Sequence, residues 1–427
     1  MIWSKSALRS FLFLKSNIVR LLTSTLAFTH RSLRRLLRSR RRRITALFAL
    51  LCIIFAFHRT PNRSFHEIGP KCGPDDICGS VEQEVGGPPL AFVEFDDQGA
   101  YFDQRQSFKA LRLIRDTINA SPLEVEVFVF VHGWQHNAHP KDAHVNQFRD
   151  FLRLEAEKSN GRRVVGVFIG WPGETLRFPL NVLTFWSRKA AAHRIASGAV
   201  QEFFATLRQV KADQQMALDT QLSEGPVPKM YVIGHSFGGL IVFQANSQSF
   251  ALRYGADVIH NRLAPSVAGF GDLVVLINPA IEATRFASLH SLWSEYPNDP
   301  FYSPVMVAVG SEADWATRIL FPLGVLGGTV TTNQVRPDQW RNALTTIGNS
   351  ESFLTHNASI AESGEITVCE RAHHFSQRKA PFWFLSASSG LINGHGDLNG
   401  EKLLNLFTTL QRRIGEKRRG GLESCQK

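Results

Sequence analysis

Residues Lys229–Leu240 read KMYVIGHSFGGL, a short run of β-formers that stops at Gly234-His235-Ser236-Phe237-Gly238 and passes into a helix-compatible stretch. A serine on a sharp strand-to-helix turn has its hydroxyl exposed above a sheet. Small residues two before and two after it, here Gly234 and Gly238, avoid collision with neighbouring backbone. That makes Ser236 a candidate nucleophile. The pentapeptide alone occurs by chance in roughly one chain in six of this length, so the strand before it and the helix after it carry the weight.

A serine hydroxyl is a weak nucleophile until a base takes its proton, and the base in turn needs an acid to orient it. The strand-like run Val305–Val309 leads into Gly310-Ser311-Glu312-Ala313-Asp314-Trp315, which sets Asp314 in a loop at a strand end. The run Phe382–Leu385 leads through a Ser/Gly-rich loop to Gly394-His395-Gly396-Asp397, where flanking glycines let the loop bring an imidazole over a sheet edge. Glu312 and Asp397 compete with Asp314 as the acid, and His356, His373 and His374 compete with His395 as the base. None of the rival histidines has both a preceding strand and flanking glycines.

Upstream, Val131-His132-Gly133-Trp134 closes an apolar β-run, Val125–Val131. Its loop can offer the Trp134 amide to a developing oxyanion, and the Phe237 amide, first past the nucleophile at a helix start, can offer a second. His132, His136 and His139 look like a metal cluster, yet loop histidines are more often structural or solvent-facing, and no metal or cofactor is expected. Trp171-Pro172-Gly173 shapes a turn beside the pocket, and Phe243, like most of the phenylalanines, reads as core.

The ordered set HGW at 132–134, GHSFG at 234–238, GSEADW at 310–315 and NGHGD at 393–397 resembles the α/β-hydrolase superfamily, nearest its serine esterase and lipase-like members, over about residues 90–414. The resemblance implies Ser236 as nucleophile, His395 as general base and acid, Asp314 as its orienting carboxylate, and Trp134 with Phe237 as oxyanion donors. His132, Gly133, Gly234, His235 and Gly238 would shape the elbow and its facing loop. It implies hydrolysis of an ester, thioester or amide through an acyl-enzyme, without a cofactor, and it leaves the acyl group unnamed.

Such loops need a sheet to hold them. Strands are expected at Leu90–Phe95, Val125–Val131, Val164–Ile169, the elbow strand, Leu273–Ile277, Val305–Val309 and Phe382–Leu385. Helical spacing is found at Gln106–Asn119, Lys141–Ser159, one long helix over Ser187–Val210, the stretch after the elbow, and Gly400–Ile414. Short apolar strands alternating with helix-length segments predict an α/β fold, a mostly parallel sheet covered on both faces. Residues 315–380 are too long for a simple crossover and read as an insertion, either a lid over an acyl pocket or a packing element.

The formal charge of +11 is misleading as a sign of nucleic-acid binding. Fourteen of the 48 Lys and Arg precede Glu67, the first acid, which leaves 34 basic against 37 acidic residues, about −3, in the rest. The excess belongs to a basic extension, residues 1–43, followed by an apolar run at 44–59, a Pro/Gly-rich linker at 60–89, and, after the domain, a basic tail at 415–427. The run Ile44–Phe57 would rise only about 21 Å as a helix, against a ~30 Å hydrocarbon core. With a long basic flank and no small-x-small cleavage site after it, it reads as an uncleaved signal-anchor that leaves the domain outside the cytoplasm; a cleaved signal peptide with a secreted or periplasmic product is the alternative. Cys72 and Cys78 form a close pair suited to a local disulfide in an oxidising compartment, while Cys52, Cys369 and Cys425 read as isolated.

The expected partners are therefore a small-molecule or lipid ester and a membrane. An acyltransferase with the same triad, or a tethered binding protein on an inactive hydrolase fold, are the competing readings. Haloalkane and epoxide hydrolysis are disfavoured, since they place a carboxylate where Ser236 stands.

Overall fold

The stretch Val125–Val131 alternates Val with Phe or Glu, and every residue in it is buried. A strand with no solvent face must be covered on both sides. In the computed structural model its valines face one apolar cluster, while Phe128 and Phe130 face another. The structure describes residues 40–69, 79–83, 87–222, 225–259, 272–294, 304–332, 335–371, 382–397 and 399–418. The basic extension up to residue 39, Cys72 and Cys78, His373 and His374, Cys425 and the tail beyond 418 lie outside the described residues.

The chain divides into two units, one running to Thr60 together with Leu176–Leu180, the other comprising Pro61–Thr175 and Asn181 onward. In the first, Arg40–His58 is a helix with Ile44, Leu47, Phe48 and Phe57 exposed, and Arg59 bridges Leu176. All of the expected spanning segment 44–59 except Arg59 lies in this helix. Among the described residues, no helix is long and apolar enough to cross a membrane.

Among the described residues the second unit has ten strands: β1 (Val81–Glu82), β2 (Leu90–Glu94), β3 (Val125–Val131), β4 (Arg163–Gly170), β5 (Lys229–His235), β6 (Leu273–Ile277), β7 (Met306–Ser311), β8 (His356–Ile360), β9 (Ile366–Glu370) and β10 (Phe382–Ala387). They lie in the order β1-β2-β4-β3-β5-β6-β7-β10-β8-β9. Among the described strand pairs, only β1–β2 and β8–β9 are antiparallel. Helices Gln104–Asn119, Phe185–Ala196, Val200–Asp219 and the elbow helix Phe237–Ile259 supply the first apolar cluster; Ala143–Lys158 and Gly400–Arg418 supply the second. This is an α/β fold with a mostly parallel sheet and helices on both faces.

Register brings the site loops to one rim. Val131 pairs with Gly234, Gly234 with Leu276, Ile277 with Val309, and Ser311 with Ala387, so β3, β5, β6, β7 and β10 end side by side at their carboxyl ends. In open parallel sheets this is where ligands bind.

Four readings of the sequence need correction. The long helix over Ser187–Val210 is two helices, broken at Ser197-Gly198-Ala199. There the Asp96–Ala100 turn presses against the chain: a Cβ on Gly198 would lie 2.4 Å from the Gly99 carbonyl oxygen, and Ala199 N–H donates to that same oxygen at 2.8 Å. Residues 315–380 are not a single insertion over the sheet, because β8 and β9 within them form a hairpin that extends it beyond β10. The 60–89 linker is partly built into the domain: β1 pairs with β2, and Ser64 and His66 are buried against Glu94. Cys369, read as isolated, is disulfide-bonded.

Candidate active site

The turn after β5 is strained as its sequence requires. Ser236 has φ +55, a left-handed conformation that a serine adopts only where its surroundings impose it. A Cβ on Gly238 would lie 2.0 Å from the Val131 carbonyl oxygen, and one on Gly234 2.8 Å from Gly239 Cα, so neither glycine can be replaced without moving backbone. Ser236 itself is 3% exposed.

Three side chains from three strand ends meet there. Asp314, just past β7, is fully buried, and its Oδ2 accepts from His395 Nδ1–H at 2.8 Å. That bond fixes the tautomer, leaving His395 Nε2 to accept the Ser236 hydroxyl at 2.7 Å. Asp314 also accepts from the amides of Ala316 and Thr317 at 2.9 and 3.2 Å and from the Thr317 hydroxyl at 2.6 Å. Burial alone would raise its pKa. The His395 bond and charge together with the Thr317 hydroxyl and amide outweigh that and hold it below the usual carboxylate value.

The rival residues lie elsewhere. Glu312 is exposed and accepts from Ser386, Asp397 accepts from Asn393 N–H at 2.7 Å and pairs with Lys402, and His356 is buried against Trp383 with Thr355 on its Nδ1.

The loop facing the serine is held by its own first residue. His132 Nε2 accepts from Trp171 N–H at 3.0 Å, so its Nδ1–H donates to the Gly133 carbonyl at 2.9 Å, and both ring nitrogens are spent. Full burial pushes its pKa down to about 4. The Trp171 indole returns a bond to the His132 carbonyl at 2.9 Å, and Gln135 N–H donates to Gly173 O at 3.0 Å, so the turn 171–173 clamps the loop rather than merely bordering it. A Cβ on Gly133 would lie 2.8 Å from Ser236 Cβ. The loop is thus in contact with the elbow, and Trp134 and Phe237 are the residues that follow Gly133 and Ser236 in the chain. Phe237 opens its helix, so its amide has no preceding helical turn to bond.

No family model matches the chain, and no curated protein does. Among solved structures it is similar to phospholipase PlaB from Legionella pneumophila in complex with thio-NAD, at 14% identity and a TM-score of 0.25, over 58% of this chain and 48% of that one. The chain thus spans about half the length of that structure.

Two residues not singled out as positioning groups in the sequence reach the main chain of His395. Asn278, at the end of β6 with φ +44, donates from Nδ2 to the carbonyls of Gly394 and His395, both at 3.2 Å, while its Oδ1 accepts Ser311 N–H at 2.9 Å. His235, expected only as elbow support, donates from Nε2 to the His395 carbonyl at 2.7 Å. The signal for Asn278 is its place in Ile277-Asn278-Pro279: asparagine tolerates left-handed backbone better than most residues, and here it follows an apolar strand directly.

A chain of histidines continues away from His395. His235 meets His144 edge-on at 4.8 Å, His144 stacks on His136 at 3.4 Å, and His136 Nδ1 pairs with Asp142 at 3.0 Å. Asp142 is also the N-cap of Ala143–Lys158. Among the described residues, no group of His, Cys, Asp or Glu is arranged to hold a metal ion.

Proposed function

We propose that this protein is a serine hydrolase that cleaves carboxylic esters, thioesters or amides through an acyl-enzyme. One observation carries the reading: an unbroken hydrogen-bonded line from Ser236 Oγ through the His395 imidazole to buried Asp314, with the serine at positive φ. Ser236 Oγ would attack the acyl carbon as its proton passes to His395 Nε2, and Asp314 would stabilise the imidazolium that forms. The negative charge on the former carbonyl oxygen would be met by the Trp134 and Phe237 amides, donors of a kind worth about 3 kcal/mol each in the transition state. His395 would then protonate the departing alcohol, thiol or amine. A water molecule, deprotonated by the same imidazole, would release the acid and restore the serine.

A membrane tether through the N-terminal segment belongs to the same proposal. Four arginines open the helix Arg40–His58, where the helix dipole disfavours cations, so helix stability does not explain them. They suit an anionic, cytoplasmic membrane face, and the disulfide at Cys369 suits an oxidising compartment for the catalytic unit.

The deciding experiment is labelling with a fluorophosphonate probe. The native protein should be labelled and turn over p-nitrophenyl esters, Ser236→Ala should do neither, and a native protein inert to probe and esters would end the reading.

A further inference from the structure

Two segments beside Ser236 present apolar side chains to solvent. Val182, Leu183 and Trp186 lie within one turn of each other around the start of the helix Phe185–Ala196. Trp315, Ile319 and Leu323 recur every four residues along the π-turn Ala316–Leu320 and the helix Phe321–Thr332. All six are between 53% and 59% exposed. The segments touch: Trp186 Nε1–H donates to the Gly324 carbonyl at 2.9 Å, and the Phe185 ring lies so close that a Cβ on Gly324 would overlap it at 2.4 Å. Exposed apolar residues scattered singly need no explanation, whereas a joined patch does.

This patch adjoins the proposed chemistry. Trp315 follows Asp314 directly, and Phe185, which links the two segments, packs on Phe237 at 5.4 Å and on Trp134 at 5.6 Å. Of the charged residues, its two segments carry basic ones only. From Asn181 to Gln201 and from Trp315 to Pro337 the sequence has no Asp or Glu, but it has Arg188, Lys189, Arg194, Arg318 and Arg336. Arg188, Lys189 and Arg336 pair with carboxylates from other positions, while Arg194 and Arg318 donate to the main-chain carbonyls of Asp97 and Glu312. Arg188 is buried and Lys189 largely buried in their pairs, which leaves Arg194 and Arg318 as exposed cations of these segments outside a side-chain ion pair. An apolar face with two tryptophans and these two arginines complements an anionic lipid surface, into which indoles and aliphatic side chains insert while cations meet the headgroups.

We infer that these two segments dock the enzyme on an anionic lipid layer, so that the esters it cleaves are acyl chains drawn from that layer. The substrate half of the inference rests on the hydrolase reading; the docking half does not.

The test uses the full chain, native and with Leu183→Ser, Ile319→Ser and Leu323→Ser combined. Two activities are compared: p-nitrophenyl butyrate in solution, and a fluorogenic long-chain ester carried in phosphatidylcholine vesicles with or without phosphatidylglycerol. The triple variant should match the native rate in solution and fall about tenfold or more on vesicles, and the native vesicle rate should rise with phosphatidylglycerol. The N-terminal segment is common to both proteins, so the difference reports on the patch. Independently, brominated lipid should quench native fluorescence more than that of Trp315→Phe, measured in a Ser236→Ala background. Equal vesicle rates for native and variant, equal quenching with and without Trp315, or a native dimer that the triple variant dissociates would each overturn the docking inference. A native protein that shows the quenching difference but no probe labelling would leave docking standing and remove the hydrolase reading.

Discussion

Asn278 Nδ2 donates to the main-chain carbonyl of His395 at 3.2 Å, while the same side chain accepts Ser311 N–H at 2.9 Å. One amide therefore joins the ends of β6 and β7 to the loop that carries the imidazole. The position of His395 is set through its backbone as well as through its ring, and His235, the residue before Ser236, grips the same carbonyl at 2.7 Å.

Removing that amide should loosen the base without touching the substrate. Asn278→Gly tolerates the φ of +44 and deletes only the side chain. A displacement of about 1 Å at a reacting group costs on the order of 10²-fold, so kcat on a p-nitrophenyl ester should drop by about that factor with KM little changed. An unaltered kcat in a folded variant would mean that the clasp has no part in positioning.

Gly133→Ala tests the contact between the loop and the elbow. Its new methyl would lie 2.8 Å from Ser236 Cβ and 3.1 Å from His235 Nδ1, so the loop must retreat and carry the Trp134 amide with it. A lost oxyanion donor costs about 10²–10³ in kcat. Probe labelling of Ser236 should slow in parallel, and circular dichroism should remain native.

The two neighbouring acids should separate cleanly. Asp314→Asn leaves the shape intact but removes the carboxylate that sets the imidazole tautomer, and should lower kcat by about 10³–10⁴. Glu312→Gln alters an exposed carboxylate whose partner is the Ser386 hydroxyl, and should leave turnover within about twofold. Ester kinetics on the purified pair would expose a reversed assignment at once.

Stability should depend on pH through His144. Burial first, then the nearby His136 and His235, hold its pKa well below the ordinary 6.5. The folded chain thus binds fewer protons at this site than the unfolded chain does once the pH drops under that value. Its contribution is complete above 6.5 and drains away on acidification. His144→Phe removes the proton-linked site, so the native protein should lose stability relative to the variant by up to about 1.4 kcal/mol per pH unit below 6.5. Urea denaturation of both proteins between neutral and mildly acidic pH measures this, and parallel curves would show that His144 is not held neutral.

What the sequence disclosed and what it hid follow from burial. The strands Val125–Val131 and Leu273–Ile277 sit at their expected bounds because a strand covered on both faces reads as a near-continuous apolar run, interrupted in the first only by Glu126, which pairs with Arg162. Ser236, Asp314 and His395 could be nominated because each follows such a run, and the fold brings the three side chains into hydrogen-bonding contact. The hairpin was missed because β8, His356–Ile360, buries alternate residues and exposes the others, so its composition resembles a polar loop. The break at Gly198 depends on the distant turn at Gly99, and the clasp by Asn278 on a loop 116 residues later; local periodicity carries neither.

Both flanks of the sheet finish in a strand that runs against its neighbour, β1 beside β2 and β9 beside β8. A foreign strand approaching β1 would find only two residues to zip onto, a rung or two of ladder, and on the opposite side it would meet a strand anchored by a sulfur cross-link at Cys369. The parallel strands that lead to Ser236, Asp314 and His395 are thereby interior to the sheet, each with a neighbour on both sides among the described residues.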